Sequence, residues 1–457
     1  MKLSLLAATS LATFAALASA AAAQDRLTPE RVFADPSLNG PTARSVTLSP
    51  DGELVAYLLP REDDVMVLDL WAAPVAGGDP FRLVDARALV PDAGDLSEAE
   101  IARRERMRIS QRGVVEYAWD DQGRFILTPL EGDVFLASRE DGTVRRLTET
   151  EADEIDAKVS PGGNYVSWVR DQDLIVYDLA NSREIAVTYD GEGPITWATA
   201  EFIAQEEMDR DTGYWWSPDE RFIAMTRVDE TGVDVIPRLD ITGEGASTIE
   251  QRYPRAGRPN AIVQVWVQDM LVGDRRQVDL GENEDIYVAR VDWSNDGHTL
   301  YVQRQSRDQR SLDLLAVNPR TGESRVILTE TSDHWVDLTD DFTPLDDGGF
   351  LWSSDRDGNL HLYRYGADGA LLNQVTQGDW PIRGVEHVDE DAARVWFMAS
   401  VDDPTQQHLY VTDLDGQSEP ERITGGEGWW SADVGEAGVF VGSYSDPATP
   451  SNTALYA

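Results

Sequence analysis

Two adjacent carboxylates, Glu206 and Glu207, are the side chains of this sequence whose types and spacing best suit binding chemistry. They belong to the stretch AQEEMDRDTGYWWSP, which covers residues 204–218. On one helical turn, neighbouring side chains diverge by about 100°, so both carboxylates could reach a single cation. At ~5 Å and an effective dielectric of about 20 they repel by about 3 kcal/mol, and a cation between them removes that cost. A solvated helix face is the alternative, because adjacent acids are common in a chain with 83 acidic residues.

Two segments that lack strand alternation are predicted to position the candidate side chains. The first covers about residues 199–208, where Thr199 is the expected N-cap and Phe202 and Ile203 give an apolar side. The second covers about residues 97–109, with the sequence SEAEIARRERMRI and an S-x-x-E capping box at its start. Both are read as short helical insertions, and insertions of this length tend to carry function.

A turn followed by an apolar strand recurs eight times along the rest of the chain. The pattern is clearest at Ser49-Pro50-Asp51-Gly52, and the copies begin near residues 49, 119, 160, 216, 293, 346, 389 and 435. Proline fixes the dihedral angle that opens such a turn, and glycine accepts the positive angle that closes it. Several copies precede a second hairpin, so each unit predicts one four-stranded blade. We therefore predict an all-β fold, an eight-bladed β-propeller over residues 46–457, with a two-sheet sandwich as the alternative.

The first residues and the composition limit where the protein acts and what it binds. Residues 1–23 combine Lys2, an apolar run and small-residue sites, which predicts a cleavable signal peptide and a periplasmic or secreted product. Residues 24–45 are interpreted as an N-terminal arm. No later segment approaches the roughly 20 apolar residues of a membrane-spanning helix. The net charge of -44 disfavours nucleic acid and anionic lipid as partners, and no cysteine is present to form a disulfide.

Three long strings carry a resemblance to a known family. They are LSEAEIARRERMRISQRG (residues 96–113), AEFIAQEEMDRDTGYWWSPDE (residues 200–220) and RYPRAGRPNA (residues 252–261). In this order they resemble the propeller domain of dipeptidyl peptidase IV and its bacterial relatives in the prolyl oligopeptidase clan of serine peptidases. The resemblance implies the removal of dipeptides from free N-termini, with proline or alanine as the expected penultimate residue.

The same resemblance implies roles for particular residues. Glu206 and Glu207 are expected to bind the free α-ammonium of a peptide substrate. An arginine is expected to contact the carbonyl of the second substrate residue, and Arg108 is the first candidate, with Arg104 and Arg106 behind it. A mixed-charge surface helix remains the alternative for these arginines. The aromatic run Tyr214 to Trp216 is expected to belong to a blade core rather than to contact substrate.

The family's catalytic groups have no counterpart in this sequence. We find no G-x-S-x-G nucleophile motif, and all five histidines fall within the repeats. We therefore expect that the α/β-hydrolase domain is absent or encoded separately, with a truncated gene product as the favoured explanation. No catalytic residue, cofactor or metal ligand is assigned.

Three hypotheses follow from the sequence. The first is the substrate-gating propeller of an exported serine dipeptidyl peptidase, inactive without its hydrolase domain. The second is a free-standing propeller that binds peptides or proteins without catalysis, and the third is a misfolded fragment without activity. The partners considered are a peptide with a free N-terminus, the hydrolase domain and a second copy of the chain in a homodimer.

Overall fold

A recurring Ser-x-Asp turn organises several of the hairpins through one serine hydroxyl. In the computed structural model, the Ser217 hydroxyl accepts a hydrogen bond from the Phe222 amide at 2.9 Å and donates one to Asp219 at 2.6 Å. Residues 49–54 and 294–299 repeat both contacts. Gly297 closes its turn with φ 68°, in the left-handed region that favours glycine. The local motif therefore builds the same hairpin at successive points of the chain.

The structure describes residues 27–34, 38, 40–91, 101, 104, 108–242, 245–435 and 438–456. The predicted signal peptide, the capping box at Ser97 and Glu100, and Arg106 lie outside these residues. Three short helices are described from end to end: α1 (Pro29–Val32), α2 (Ala86–Leu89) and α3 (Phe202–Glu207). Ile101 and Arg104, in the second predicted helical insertion, are also helical. None of the helices in these ranges is long and apolar enough to cross a membrane.

The first four blades are antiparallel sheets whose strands follow one another in chain order. Blade 1 contains β1 (Arg44–Leu48), β2 (Leu54–Pro60), β3 (Val67–Pro74) and β4 (Phe81–Val84), with β5 (Arg112–Gly113) parallel to β3. Blade 2 contains β6 (Ala118–Trp119), β7 (Phe125–Leu130), β8 (Asp133–Ser138) and β9 (Val144–Arg146). Blade 3 contains β10 (Ile155–Val159), β11 (Tyr165–Arg170), β12 (Asp173–Asp178) and β13 (Arg183–Ala186). Blade 4 contains β14 (Ile195–Trp197), β15 (Tyr214–Trp216), β16 (Phe222–Asp229), β19 (Ile262–Asp269) and β20 (Arg275–Gln277).

Blade 4 also carries a separate two-stranded hairpin, formed by β17 (Val235–Thr242) and β18 (Gly245–Arg252). The remaining blades continue the chain-order pattern. Blade 5 contains β21 (Ile286–Trp293), β22 (Leu300–Ser306), β23 (Ser311–Val317) and β24 (Ser324–Thr331). Blade 6 contains β25 (Thr343–Pro344), β26 (Phe350–Ser354), β27 (His361–Tyr365) and β28 (Leu371–Gln374). Blade 7 contains β29 (Ile382–Asp389), β30 (Arg394–Ala399), β31 (His408–Asp413) and β32 (Glu421–Arg422), and blade 8 contains β33 (Trp429–Val434), β34 (Phe440–Asp446) and β35 (Thr449–Tyr456).

The hydrophobic core is divided into clusters that lie between neighbouring blades. Successive side chains of a strand point to opposite faces of its sheet. Phe222 accordingly packs against blade 5, whereas its neighbour Ile223 packs against blade 3. Phe350 and Leu351 divide in the same way between blades 5 and 7. Blades 2 to 7 are thus held by apolar clusters on both faces, which is the arrangement of a propeller.

The first and last blades meet and close the ring. The Leu48 amide of blade 1 donates to the Asp433 carboxylate of blade 8 at 3.1 Å. Closure gives the last sheet a neighbour on its otherwise open side. The predicted eight-bladed β-propeller with short helical insertions is confirmed.

Candidate functional site

The helix that carries the paired glutamates is an insertion between two strands of blade 4. Helix α3 begins at Phe202 and ends at Glu207, after β14 and before β15. The prediction that Thr199 is the N-cap is wrong, because Glu201 occupies that position. The Glu201 side chain makes no capping hydrogen bond. Thr199 is instead engaged at the base of the insertion, where its hydroxyl lies 2.8 Å from that of Thr196. The helix is therefore shorter than the predicted range 199–208.

The two ends of the insertion meet at a narrow base. Thr199 and Thr212 form an isolated antiparallel bridge. A side chain at Gly213 would place its Cβ 2.3 Å from the Thr199 amide nitrogen, so glycine is required for this close approach. On the blade 3 side, the Lys158 ammonium donates to the Tyr214 carbonyl at 2.6 Å and to the Thr212 hydroxyl. The base is thus fastened to its own blade and to blade 3.

One side of α3 packs against the protein. The ring of Phe202 lies 5.1 Å from that of Tyr253, and Ile203 and Met208 pack against the cluster between blades 5 and 6. Ala204 is fully buried between these contacts. These contacts fix the helix to the rest of the propeller.

Glu206 and Glu207 follow Phe202 and Ile203 by one helical turn, at the C-terminal end of the helix, and both are exposed. Within the part of the chain that the structure describes, neither carboxylate makes a hydrogen bond or an ion pair with another residue. Two neighbouring anions without a protein cation are free to bind a cation from outside. The geometry is compatible with the chemistry expected of the pair.

The candidate arginines lie between α2 and β5, within the part of the chain that forms blade 1. Arg108 is exposed and has φ 55°, an uncommon backbone conformation for a residue other than glycine. Arg104 is 6 % exposed, and its guanidinium donates to the Gln111 carbonyl at 3.1 Å. Burial leaves Arg104 poorly suited to contact a ligand, whereas the exposure of Arg108 suits it. Arg106 lies outside the described residues.

The aromatic run after the insertion belongs to the blade, as predicted. Tyr214 is fully buried and Trp216 nearly so, and Trp215 packs against the cluster between blades 4 and 5. The Tyr214 hydroxyl donates to the Asp156 carbonyl at 2.5 Å. These contacts tie the end of the insertion to the core.

Sequence reasoning missed the buried charges that support the insertion. Glu201 and Arg210 form an ion pair of 2.9 Å across it, and Lys158 supports its base from blade 3. Burial lowers the pKa of Lys158, and burial raises the pKa of its neighbour Asp156. Glu201 and Arg210 are nine residues apart, so no helical or strand period connects them. Because the chain has 83 acidic residues, a single acid such as Glu201 does not stand out in the sequence.

Two further carboxylates with altered acidity lie on the first strands of their blades. Burial raises the pKa of Asp292 in β21 to about 7; Arg290 opposes this shift and Asp340 adds to it. Burial also raises the pKa of Glu386 in β29 to about 7, with added repulsion from the Asp433 and Asp341 charges. Desolvation of a carboxyl group disfavours its charged form. These groups should bind protons near neutral pH.

Comparison with known proteins places the chain in a family. A family model for the dipeptidyl peptidase IV (DPP IV) N-terminal region matches residues 118–451. Dipeptidyl peptidase 4 of Arthroderma otae is 25 % identical over 335 residues, which cover 69 % of this chain and 43 % of that protein. Dipeptidyl peptidase 4 of Trichophyton tonsurans is 25 % identical over 334 residues, with the same shares of the two chains. The chain thus spans about two fifths of the length of these curated relatives.

A solved structure agrees at the level of the fold. The crystal structure of Porphyromonas gingivalis dipeptidyl peptidase 4 superposes with a TM-score of 0.75 and 21 % sequence identity. The match covers 91 % of this chain and 58 % of that one. Since the family model matches well over half of the chain, the protein belongs to the family of the dipeptidyl peptidase IV N-terminal region.

Proposed function

We propose that this chain is the propeller that recognises peptide N-termini in an exported serine dipeptidyl peptidase. Membership of the family supports this proposal, and so do the two exposed carboxylates on α3, which pair with no residue that the structure describes. The exposed carboxylate pair is the observation that assigns N-terminus recognition to α3, because it leaves two anions available to an incoming ligand.

The charge of the carboxylate pair explains how such a site would distinguish a free peptide N-terminus from a blocked one. A free N-terminus carries an α-ammonium group with three N–H donors, and two carboxylates can accept from it together. Such charge-assisted hydrogen bonds contribute about 1.5–3 kcal/mol each. An acetylated terminus or an internal amide has no charge to offer. Glu206 and Glu207 would therefore hold the chain end and limit cleavage to a fixed distance from it.

Arg108 is proposed to contact the carbonyl of the second substrate residue. Its exposure supports this role, and its guanidinium carries several donors at any physiological pH. Bond cleavage is assigned to an α/β-hydrolase domain that acts with the propeller, because the 457 residues contain no G-x-S-x-G motif. The propeller would supply selection and the hydrolase domain the nucleophile.

Export is proposed from the apolar segment at residues 1–23. A periplasmic or secreted peptidase would act on peptides outside the cytoplasm. Cleavage at the small-residue sites before Gln24 would be visible as the N-terminus of the mature protein, determined by Edman sequencing or intact mass. A chain that retains Met1 after expression in a host with a secretion pathway would contradict export.

Binding of matched ligands tests the proposed function. We expect the purified chain to bind the dipeptide Ala-Pro about a hundredfold more tightly than N-acetyl-Ala-Pro, measured by isothermal titration calorimetry. The same preparation should release no product from an Ala-Pro chromogenic substrate, since it lacks the nucleophile motif. Equal affinities for the two ligands would favour a propeller that binds peptides without reading their N-termini.

A second copy of the chain is proposed as a partner at the β17–β18 hairpin. Val235, Leu239 and Ile241 alternate along β17 and are 49 %, 66 % and 75 % exposed, so this strand presents apolar side chains on one face. An isolated two-stranded hairpin is marginally stable in water, and cover by a second copy would stabilise it.

Light scattering coupled to size exclusion tests this partner. We expect a dimer for the wild type and a monomer for the double variant Leu239→Asp and Ile241→Asp, because charges would be buried on the apolar face. Arg238→Glu, on the other face of the same strand, is the matched control and should remain dimeric. A monomeric wild type would refute pairing through this hairpin.

A further inference from the structure

The insertion that carries α3 is spanned by a buried ion pair. Glu201 stands immediately before the helix, and Arg210 follows it by three residues. The Arg210 guanidinium donates to the Glu201 carboxylate at 2.9 Å, and the two side chains are 3 % and 6 % exposed. The pair thus connects the two ends of the segment from inside the protein.

Arg210 also fixes this segment to the rest of the propeller. It donates to the Thr212 carbonyl at 2.7 Å, within the base of the insertion, and to the Val288 carbonyl at 3.2 Å in blade 5. Its backbone amide donates to the Ala204 carbonyl at 3.0 Å. A planar guanidinium presents donors on separate nitrogens in a fixed geometry, whereas the three donors of a lysine ammonium all radiate from one nitrogen.

Helix α3 depends on such outside contacts for its direction. It has six residues, and helices of this length are not stable on their own. Glu201 makes no capping bond to it: one carboxylate oxygen accepts from Arg210, and the other is buried without a hydrogen-bond partner among the described residues. Beyond the C-terminal end, Arg290 of blade 5 donates to the Met208 carbonyl at 2.8 Å. The orientation of Glu206 and Glu207 is therefore set by the anchors on either side of them.

A buried ion pair is weak evidence for stability, because desolvation of its charges offsets their attraction. The geometric role of this pair is better supported, since it joins the segment ends, the base and the next blade at once. We propose that Glu201 and Arg210 are positioning residues that hold Glu206 and Glu207 in place for one ammonium group. This inference rests on the proposed function.

The test measures discrimination between charged and acetylated ligands in variants of the pair. In Arg210→Lys, the ratio of the Kd values for N-acetyl-Ala-Pro and Ala-Pro is expected to fall at least about tenfold, since small displacements of a binding group can cost up to ~100-fold. Glu201→Gln keeps the shape of the side chain and should lower the same ratio. The Kd of N-acetyl-Ala-Pro should stay unchanged in both variants. Arg170→Lys is the matched control, because Arg170 forms a comparable pair with the buried Glu154 within blade 3 and should leave the ratio unchanged.

Glu206→Ala separates the failure of this inference from the failure of the proposed function. An unchanged ratio in Glu206→Ala would overturn the proposed function itself. The positioning role alone would be overturned if the ratio of the two Kd values falls in Glu206→Ala but stays at the wild-type value in folded Arg210→Lys and Glu201→Gln. Folding is checked by near-ultraviolet circular dichroism. If Arg210→Lys does not fold, two other variants decide the outcome by the same ratio of Kd values. They are Glu201→Gln and the double variant Glu201→Gln with Arg210→Met, which removes both buried charges.

Discussion

Replacing both Glu206 and Glu207 by alanine is expected to weaken the binding of Ala-Pro about a hundredfold and to leave N-acetyl-Ala-Pro unaffected. Each carboxylate would contribute about 1.5–3 kcal/mol through a charge-assisted hydrogen bond to the ammonium, and each 1.4 kcal/mol is about tenfold in Kd. Little change in stability is expected, because both side chains are exposed and no described residue pairs with them. Titration calorimetry of the two ligands with wild type and variant gives the four values required.

Two controls make this result specific. The substitutions Glu206→Gln and Glu207→Gln retain the size and a hydrogen-bonding oxygen of each side chain but remove its charge, so these variants should resemble the alanine variants. Asp402 and Asp403 are another adjacent pair, on the loop before β31 in blade 7, and their replacement by alanine should not alter discrimination. Selective binding of Ala-Pro by the doubly substituted protein would exclude the pair as the ammonium site.

The stability of the propeller is expected to fall as pH rises from about 5 to about 8, through Asp292 and Glu386. In the unfolded chain these carboxyls ionise near pH 4, but in the folded protein burial raises each pKa to about 7. Between these values the folded state holds more protons than the unfolded state, so the free energy of unfolding decreases with pH. Above about pH 8 both states are ionised, and the loss is complete.

The size of this effect follows from the pKa difference. A pKa raised from about 4 to about 7 corresponds to about 4 kcal/mol for each group at high pH. Both side chains keep partial exposure, and screening by water should reduce the contribution to about 2 kcal/mol each.

Urea unfolding of a double variant isolates these two groups from the other acids. Asp292→Asn with Glu386→Gln removes both titrations, so the variant should gain about 4 kcal/mol relative to wild type between about pH 5 and about pH 8. Asp355→Asn, at an exposed turn, serves as the control and should show no such gain. A constant difference between wild type and double variant at all pH values would show that neither group titrates in this range.

The fold could be predicted because its signals are local. Each Ser-x-Asp turn is completed within about six residues, as the contacts of Ser217 with Asp219 and Phe222 illustrate. Strand alternation likewise assigns Phe222 and Ile223 to opposite faces without knowledge of the partner blades. Repetition of a local unit therefore predicted the number of blades.

The details of the site could not be predicted, because they depend on contacts between distant residues. Thr199 has the right side chain for an N-cap, but its pairing with Thr212 places the start of the helix at Phe202. The pair of Glu201 and Arg210 has no signature in any window of the sequence. Glu206 and Glu207 could be singled out only through the long strings around them, since adjacent acids such as Asp402 and Asp403 occur elsewhere.

A crystal structure of the chain soaked with Ala-Pro is the most direct test of the site. The account predicts the dipeptide nitrogen within about 3 Å of carboxylate oxygens from both Glu206 and Glu207, the distance of a charge-assisted hydrogen bond. A dipeptide whose amine lies elsewhere on the propeller, with both carboxylates still facing only water, would contradict the account.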